Sequence, residues 1–260
     1  MLDFVKKFLT KREGKIKYND LLKGFLSDGK LDANEKQELE RLSKEYNLTE
    51  QELLEAHKKG STLAFQNIIS DGKITDEEKE ALEELMDYFK VSQKDFKFDQ
   101  KAFNKFYTLG LIDKGILPEI QQHDIDVIFK KGEVLHWGCP GALRKYQRVT
   151  NRINYGGPTA SIKIMKGVRY RVGSIGYSTS SSEHLVTEDT GAFWLTNQRI
   201  GFRGNRKNFA FPYSKIHAFE LTKDGLMILK DGREKPYIVG LDDYDVPCMM
   251  ISHILNDDKE

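Results

Sequence analysis

At 260 residues the chain is longer than one ordinary hydrophobic core serves, and two domains are expected. Its 41 Lys and Arg against 40 Asp and Glu leave a net charge of +1, without the basic excess that supplies phosphate affinity in a dedicated nucleic-acid binder. Two distant cysteines, Cys139 and Cys248, argue against a disulfide framework; with no apolar run near the roughly 20 residues of a membrane span and no signal-like cleavage site, a cytoplasmic chain without a transmembrane segment is expected.

The overall balance conceals alternating charge. Residues 1–19 hold six Lys/Arg against two Asp/Glu, residues 20–95 hold eleven against nineteen, and residues 132–241 hold seventeen against eight. Sign changes of this kind suit modules that face different partners or each other. The chain begins MLDFVKKFLTKR, in which Leu2, Phe4, Val5, Phe8 and Leu9 share one helical arc opposite Lys6, Lys7 and Lys11. Such a helix either lies in a membrane interface or packs its apolar stripe on a bundle.

The stretch SDGKLDANEKQELE at 27–40 returns as SDGKITDEEKEALE at 70–83, and the register 21–53 matches 64–96. Leu39, Leu42, Tyr46 and Leu48 align with Leu82, Leu85, Phe89 and Val91 at helical spacing, so each copy carries a helix with one apolar face. Asp-Gly-Lys followed by an apolar residue and a Glu is similar to the second half of an EF-hand loop. With Asp28 at loop position 5, however, the early ligand positions fall on Gly24 and Leu26, and on Asn67 and Ile69 in the second copy, so most early oxygens are missing. Helix capping accounts for the same residues. Asp32 and Thr75 stand three before Glu35 and Glu78, the spacing of a capping box, while Gly29 and Gly72 are free to take positive φ in the turn. Thr49 with Glu52, and Ser92 with Asp95, repeat the capping pattern one helix later.

Helix–turn–helix units of the form SDGK(I/L)xxxEKxxL resemble the TerB-like (tellurite-resistance) family over about residues 18–112. The resemblance implies an all-helical fold and a link to bacterial membrane-stress, metal-resistance and phage-defence systems. Some members are thought to bind divalent metal through acidic residues, which would here be Asp28, Glu35, Asp71 and Glu78; Lys30 and Lys73 stand beside both turns. No other cofactor is expected.

Phe103, Phe106 and Tyr107 have helical spacing and imply a last helix of the bundle, before Gly115 and Pro118 break the pattern. After Gly132 the periodicity becomes alternation. In SIKIMKGVRYRVGS, apolar Ile162, Ile164, Val168, Tyr170 and Val172 alternate with Lys163, Arg169 and Arg171, as in a half-buried strand with a basic outer face. AFWLT, RIGFR, NFAF, KIHAFEL, LMILK and PYIV read as further strands, with turns at Gly204-Asn205 and Asp231-Gly232, and DVPCMMISHIL reads as a closing helix. The fold class is α+β: an N-terminal helical bundle of repeated helix-turn-helix units over 1–115, and an antiparallel β-barrel or sandwich with one C-terminal helix over 125–260.

The run DTGAFWLTNQRIGFRG with KNFAFPYSKIHAFEL resembles a bacterial pleckstrin-homology-like (PH-like) or GRAM-like domain, on Thr190-Gly191, Thr196-Asn197, Arg199, Phe202, Pro212 and Ile216. Tyr155 through Gly173 is similar to a pattern of widespread bacterial domains, YxGPxxSxxIxxGxxYRVG. The resemblance covers about residues 125–256, and its fold serves lipid, peptide and protein partners alike.

Catalytic constellations are scarce. There is no H-E-x-x-H, phosphate loop or G-x-S-x-G, and Ser178, Ser180, Ser181 and Ser182 beside His184 read as a hairpin tip rather than a nucleophile and base. No catalytic residue is assigned. The binding candidates are Lys163, Arg169, Arg171, Arg203, Arg206 and Lys207, which can neutralise an anionic lipid or acidic protein surface, or dock on the acidic helical half. The expected function is a non-enzymatic adaptor or scaffold of a bacterial or phage-associated stress or defence system, binding a protein partner or an anionic membrane; the alternative is a divalent-metal (Ca2+) sensor using the Asp-Gly turns.

Overall fold

The structure, a computed structural model, describes residues 2–121, 125–148 and 183–257. It divides into two compact units between Gly110 and Leu111.

The first unit is helical: α1 (Leu2–Phe25), α2 (Ala33–Glu45), α3 (Glu50–Ile68), α4 (Asp76–Phe89) and α5 (Gln100–Asp113), whose last residues belong to the second unit. The two copies of the repeat are the α1–α2 and α3–α4 junctions. In each, a short 3-10 turn ends on the Asp of Asp-Gly; Gly29 and Gly72 take φ of 82° and 84°, and their amides close the turn on Leu26 O and Ile69 O. Asp32, Thr49 and Thr75 then form reciprocal capping boxes with Glu35, Glu52 and Glu78. Each box pairs two amides that a helix start otherwise leaves open.

Tyr18, Leu22 and Leu26 line one side of α1 and its extension, and meet Leu39 and Leu42 of α2, Ala64, Phe65 and Ile68 of α3, and Leu82, Leu85 and Phe89 of α4 in one buried core. The copies are stitched together where they differ: Asn67, standing where the first copy has Gly24, donates from Nδ2 to Leu26 O at 2.8 Å. One expectation is corrected. Ser92 and Asp95 are joined by side-chain hydrogen bonds, but the segment they cap is a set of turns, and α5 starts later, with Asp99 accepting from Ala102 N. The physical reason is the spacing of Phe96 and Phe98. Two residues apart, they would point to opposite faces of a helix, yet both pack on the core, Phe98 lying 4.7 Å from Phe65 and 5.7 Å from Phe96 between ring centroids.

His57 is a polar member of this packing. Its ring stacks on Phe89 at 4.2 Å and its Nε2 lies 2.9 Å from Tyr18 Oη. Burial holds its pKa below the ordinary value, against a hydrogen bond to the Phe89 backbone. A depressed folded-state pKa contributes stability that is complete above the unfolded value of about 6.5 and is lost as pH falls through the folded value. We therefore expect the denaturation midpoint of the helical unit, followed by far-UV circular dichroism, to drop between about pH 7 and 5. His57→Phe keeps the stack and flattens that drop; an unchanged slope in the variant would place the titration elsewhere.

The second unit holds a seven-stranded antiparallel sheet in the order β4-β3-β2-β1-β7-β6-β5. The strands are β1 (Leu135–Arg148), β2 (Glu183–Thr196), β3 (Arg199–Gly204), β4 (Asn208–Pro212), β5 (Ile216–Thr222), β6 (Gly225–Lys230) and β7 (Tyr237–Leu241), followed by α6 (Asp245–Asp257). The sheet is curled into a half-barrel. In a flat sheet β4 and β7 would stand about 19 Å apart, four strand spacings; instead Phe209 and Phe211 of β4 stack on Tyr237 of β7 at 4.1 and 5.6 Å. Val246, Cys248, Met250, Ile251 and Ile254 form the buried face of α6.

β1 is the strand that sequence reasoning missed. It carries Gly138, Pro140 and Gly141 and still pairs with β2 from Leu135 to Arg148, Pro140 opposite Ala192, while Gly141–Arg144 pair with β7. The strand expected over 161–173 lies outside the described residues.

Candidate functional site

The basic candidates that can be placed lie at the β3–β4 hairpin. Arg203 pairs with Asn208 as the last rung, and Gly204 N donates to Lys207 O at 3.0 Å across the turn. A carboxylate from the neighbouring strand secures this turn: Asp189 of β2, only 7% exposed, accepts from the amides of Arg206 and Lys207 at 2.7 Å each and from Thr190 N at 3.0 Å. The Arg206 amide leads these bonds in holding its carboxyl below the usual range. Gly204 makes room for it, since a Cβ there would stand 2.3 Å from Asp189 Oδ2.

The turn backbone is thus committed inward, and its cationic side chains face outward. Arg203, Arg206 and Lys207 are all exposed. Arg203 Nη2 lies 3.2 Å from the carboxylate of Asp126, a nearly fully exposed partner that contributes little. Lys207 Nζ lies 3.8 Å from Glu188, which also receives Lys145 of β1 at 3.0 Å. Among the described residues Arg206 has no ion-pair partner. Lys145 therefore joins the group; with β1 unrecognised, nothing in the sequence placed it there. Lys163, Arg169, Arg171 and Ser178, Ser180, Ser181 and Ser182 lie outside the described residues, and His184 sits at the start of β2 opposite Gln147.

A second polar cluster lies at the other end of β3, at the β2–β3 turn, and is structural. Glu133, whose side chain is fully buried, accepts from Arg199 Nε at 2.7 Å and Nη2 at 3.0 Å, from Thr196 Oγ1 at 2.8 Å and from Lys130 N at 2.7 Å. Burial opposes its ionisation, and these hydrogen bonds outweigh burial to keep the pKa below the ordinary value. Arg199 also lies over the Trp194 ring, 5.1 Å from its centroid, and Asn197 exchanges hydrogen bonds with Val134. The Thr196-Asn197-Arg199 motif fastens the segment before β1 to the β2–β3 turn.

The acidic candidates of the helical unit serve its backbone. Asp28 and Asp71 each accept from the amide two residues on, Lys30 N and Lys73 N, at 3.0 Å, and Glu35 and Glu78 reach back to the amides of Asp32 and Thr75. Among the described residues no group of three His, Cys, Asp or Glu side chains is arranged to hold a metal ion. Of the interfacial candidates on α1, Leu9 is 55% exposed, and the side chains of Leu2, Phe4, Val5 and Phe8 lie outside the described ones. No described helix is long and apolar enough to cross a membrane. Comparisons with protein-family models, curated proteins and solved structures return no match.

Proposed function

We propose that the chain is a non-enzymatic adaptor whose β unit docks on an anionic membrane surface through the β3–β4 hairpin. One observation carries this reading: a buried carboxylate fixes the turn while Arg203, Arg206 and Lys207 project to solvent. A cationic tip on a rigid hairpin meets an anionic surface at little ordering cost, and each Lys or Arg near such a surface contributes on the order of 1 kcal/mol. Lys163, Arg169 and Arg171, outside the described residues, would add to the same charge-based binding. On this reading the helical unit is a TerB-like module and the β unit a PH-like one; the meanders β1–β4 and β5–β7 and the closing helix support the latter. The adaptor would then serve a bacterial or phage-associated stress or defence system.

Vesicle flotation of the full chain tests the assignment. With phosphatidylserine-containing vesicles at low salt we expect co-flotation, reduced at least about tenfold in Arg206→Glu/Lys207→Glu and strengthened in Glu188→Gln, which frees Lys145 and Lys207. Absence of the wild-type chain from the floated fraction would turn the proposal toward an acidic protein surface.

A further inference from the structure

The helical unit, residues 1–110, holds twenty Lys/Arg against twenty-two Asp/Glu, and one part of its surface gathers lysines. Lys58, Lys59, Thr62 and Gln66 on α3, and Lys94, Asp95, Phe96 and Lys97 on the turns that follow α4, line a shallow cleft that is largely open to solvent. Four lysines face one carboxylate. Asp95 is 3.2 Å from Lys58 Nζ and is engaged by Ser92 through both its amide and its hydroxyl. Lys59, Lys94 and Lys97 are exposed, and none has an ion-pair partner among the described residues.

The two walls are tied together. Lys97 N donates to Thr62 Oγ1 at 3.4 Å, and the Phe98 ring seats on Phe65 of α3. The spacing of these lysines is therefore set by the core rather than by a mobile loop, which reduces the ordering cost of binding. Ser92 leads the interactions that lower the Asp95 pKa to about 2, so Asp95 remains an anion at neutral pH and offsets one lysine of the four.

We propose that this cleft binds a compact soluble ligand bearing two or more phosphate groups. Three uncompensated ammonium groups around a concavity match a clustered anionic charge, with Thr62 and Gln66 as neutral hydrogen-bonding side chains and the half-buried Phe96 ring as the apolar wall. Over the whole unit, residues 1–110, twenty Lys/Arg stand against twenty-two Asp/Glu, so the field at the site is governed by the local lysines, which a compact anion can engage together. The site is separate from the β-unit hairpin and does not depend on the adaptor reading.

Calorimetry of the full chain with inorganic tripolyphosphate at low ionic strength tests it. Saturable binding is expected, weakened at least about tenfold in Lys94→Gln/Lys97→Gln. Arg206→Glu/Lys207→Glu should leave it within about twofold, as should Lys30→Gln, which lies outside the cleft. Vesicles carrying a phosphoinositide separate a lipid headgroup from a soluble phosphate: whatever vesicle binding the wild type shows should be unchanged in Lys94→Gln/Lys97→Gln. The proposal is overturned if wild type gives no saturable heat with tripolyphosphate, if the hairpin variant loses the binding instead, or if the cleft variant loses only vesicle binding.

Discussion

Glu133→Ala is expected to destabilise the β unit by about 3–5 kcal/mol, the range for removing one partner of a buried ion pair. The variant leaves the Arg199 guanidinium, only 16% exposed, without its carboxylate, and strands the Lys130 amide that also points at Glu133, whereas the Thr196 hydroxyl keeps Arg199 O as an acceptor. The measurement isolates the unit, because both tryptophans of the chain, Trp137 and Trp194, belong to it. Urea denaturation followed by tryptophan fluorescence should show a lowered midpoint for Glu133→Ala and for Arg199→Ala. The double variant should cost clearly less than the two added, since removing the second partner relieves the charge stranded by the first. Additive losses, or a single-variant loss below about 1 kcal/mol, would mean that the pair does not hold the segment before β1 to the β2–β3 turn.

Gly110→Ala is expected to be the most damaging small substitution in the helical unit. A Cβ at Gly110 would stand 2.1 Å from the carbonyl oxygen of Ile74 and 2.9 Å from its carbon, both backbone atoms that no rotamer change can move. Relief requires α5 to shift from the start of α4, which strains the Ile74 N to Phe106 O hydrogen bond of 3.0 Å. Overpacking of this kind costs about 1–3 kcal/mol, and the upper end applies where backbone must move. Gly24→Ala is the matched control: nothing lies within 4 Å of its would-be Cβ, and in the last turn of α1 alanine is favoured over glycine by up to about 1 kcal/mol. Far-UV circular dichroism during urea denaturation should therefore place the two variants on opposite sides of the wild-type midpoint. A Gly110→Ala midpoint equal to wild type would refute the close α5 approach.

The helical unit was largely legible because its signals are local. An Asp or Thr three residues before a Glu specifies a cap, Asp-Gly specifies a left-handed turn, and a recurrence at one fixed shift reveals two copies of one design. Where two local signals competed, at Ser92–Phe98, the cap residues did pair, but the aromatic spacing decided the backbone. In the β unit, alternation identified the short strands, whereas β1, interrupted by Gly138, Pro140 and Gly141, went unrecognised; its pairing with β2 and β7 is a property of the sheet.

The candidate sites divide in the same way. Exposed Arg203, Arg206 and Lys207 were readable as basic residues near a turn. The Asp189 carboxylate that fixes that turn was not, because it lies 17 and 18 residues away in sequence. Glu133 and Arg199 are 66 residues apart, and Lys58 and Lys97 stand on segments separated by all of α4. By itself, the sequence determined the α+β class, the doubled helix-turn-helix unit with its caps, and most strands, since periodicity and capping act over a few residues. Only the tertiary structure decided which charges are buried and paired, which lysines converge on one cleft, and how the sheet curls, because those depend on contacts whose partners local spacing does not name.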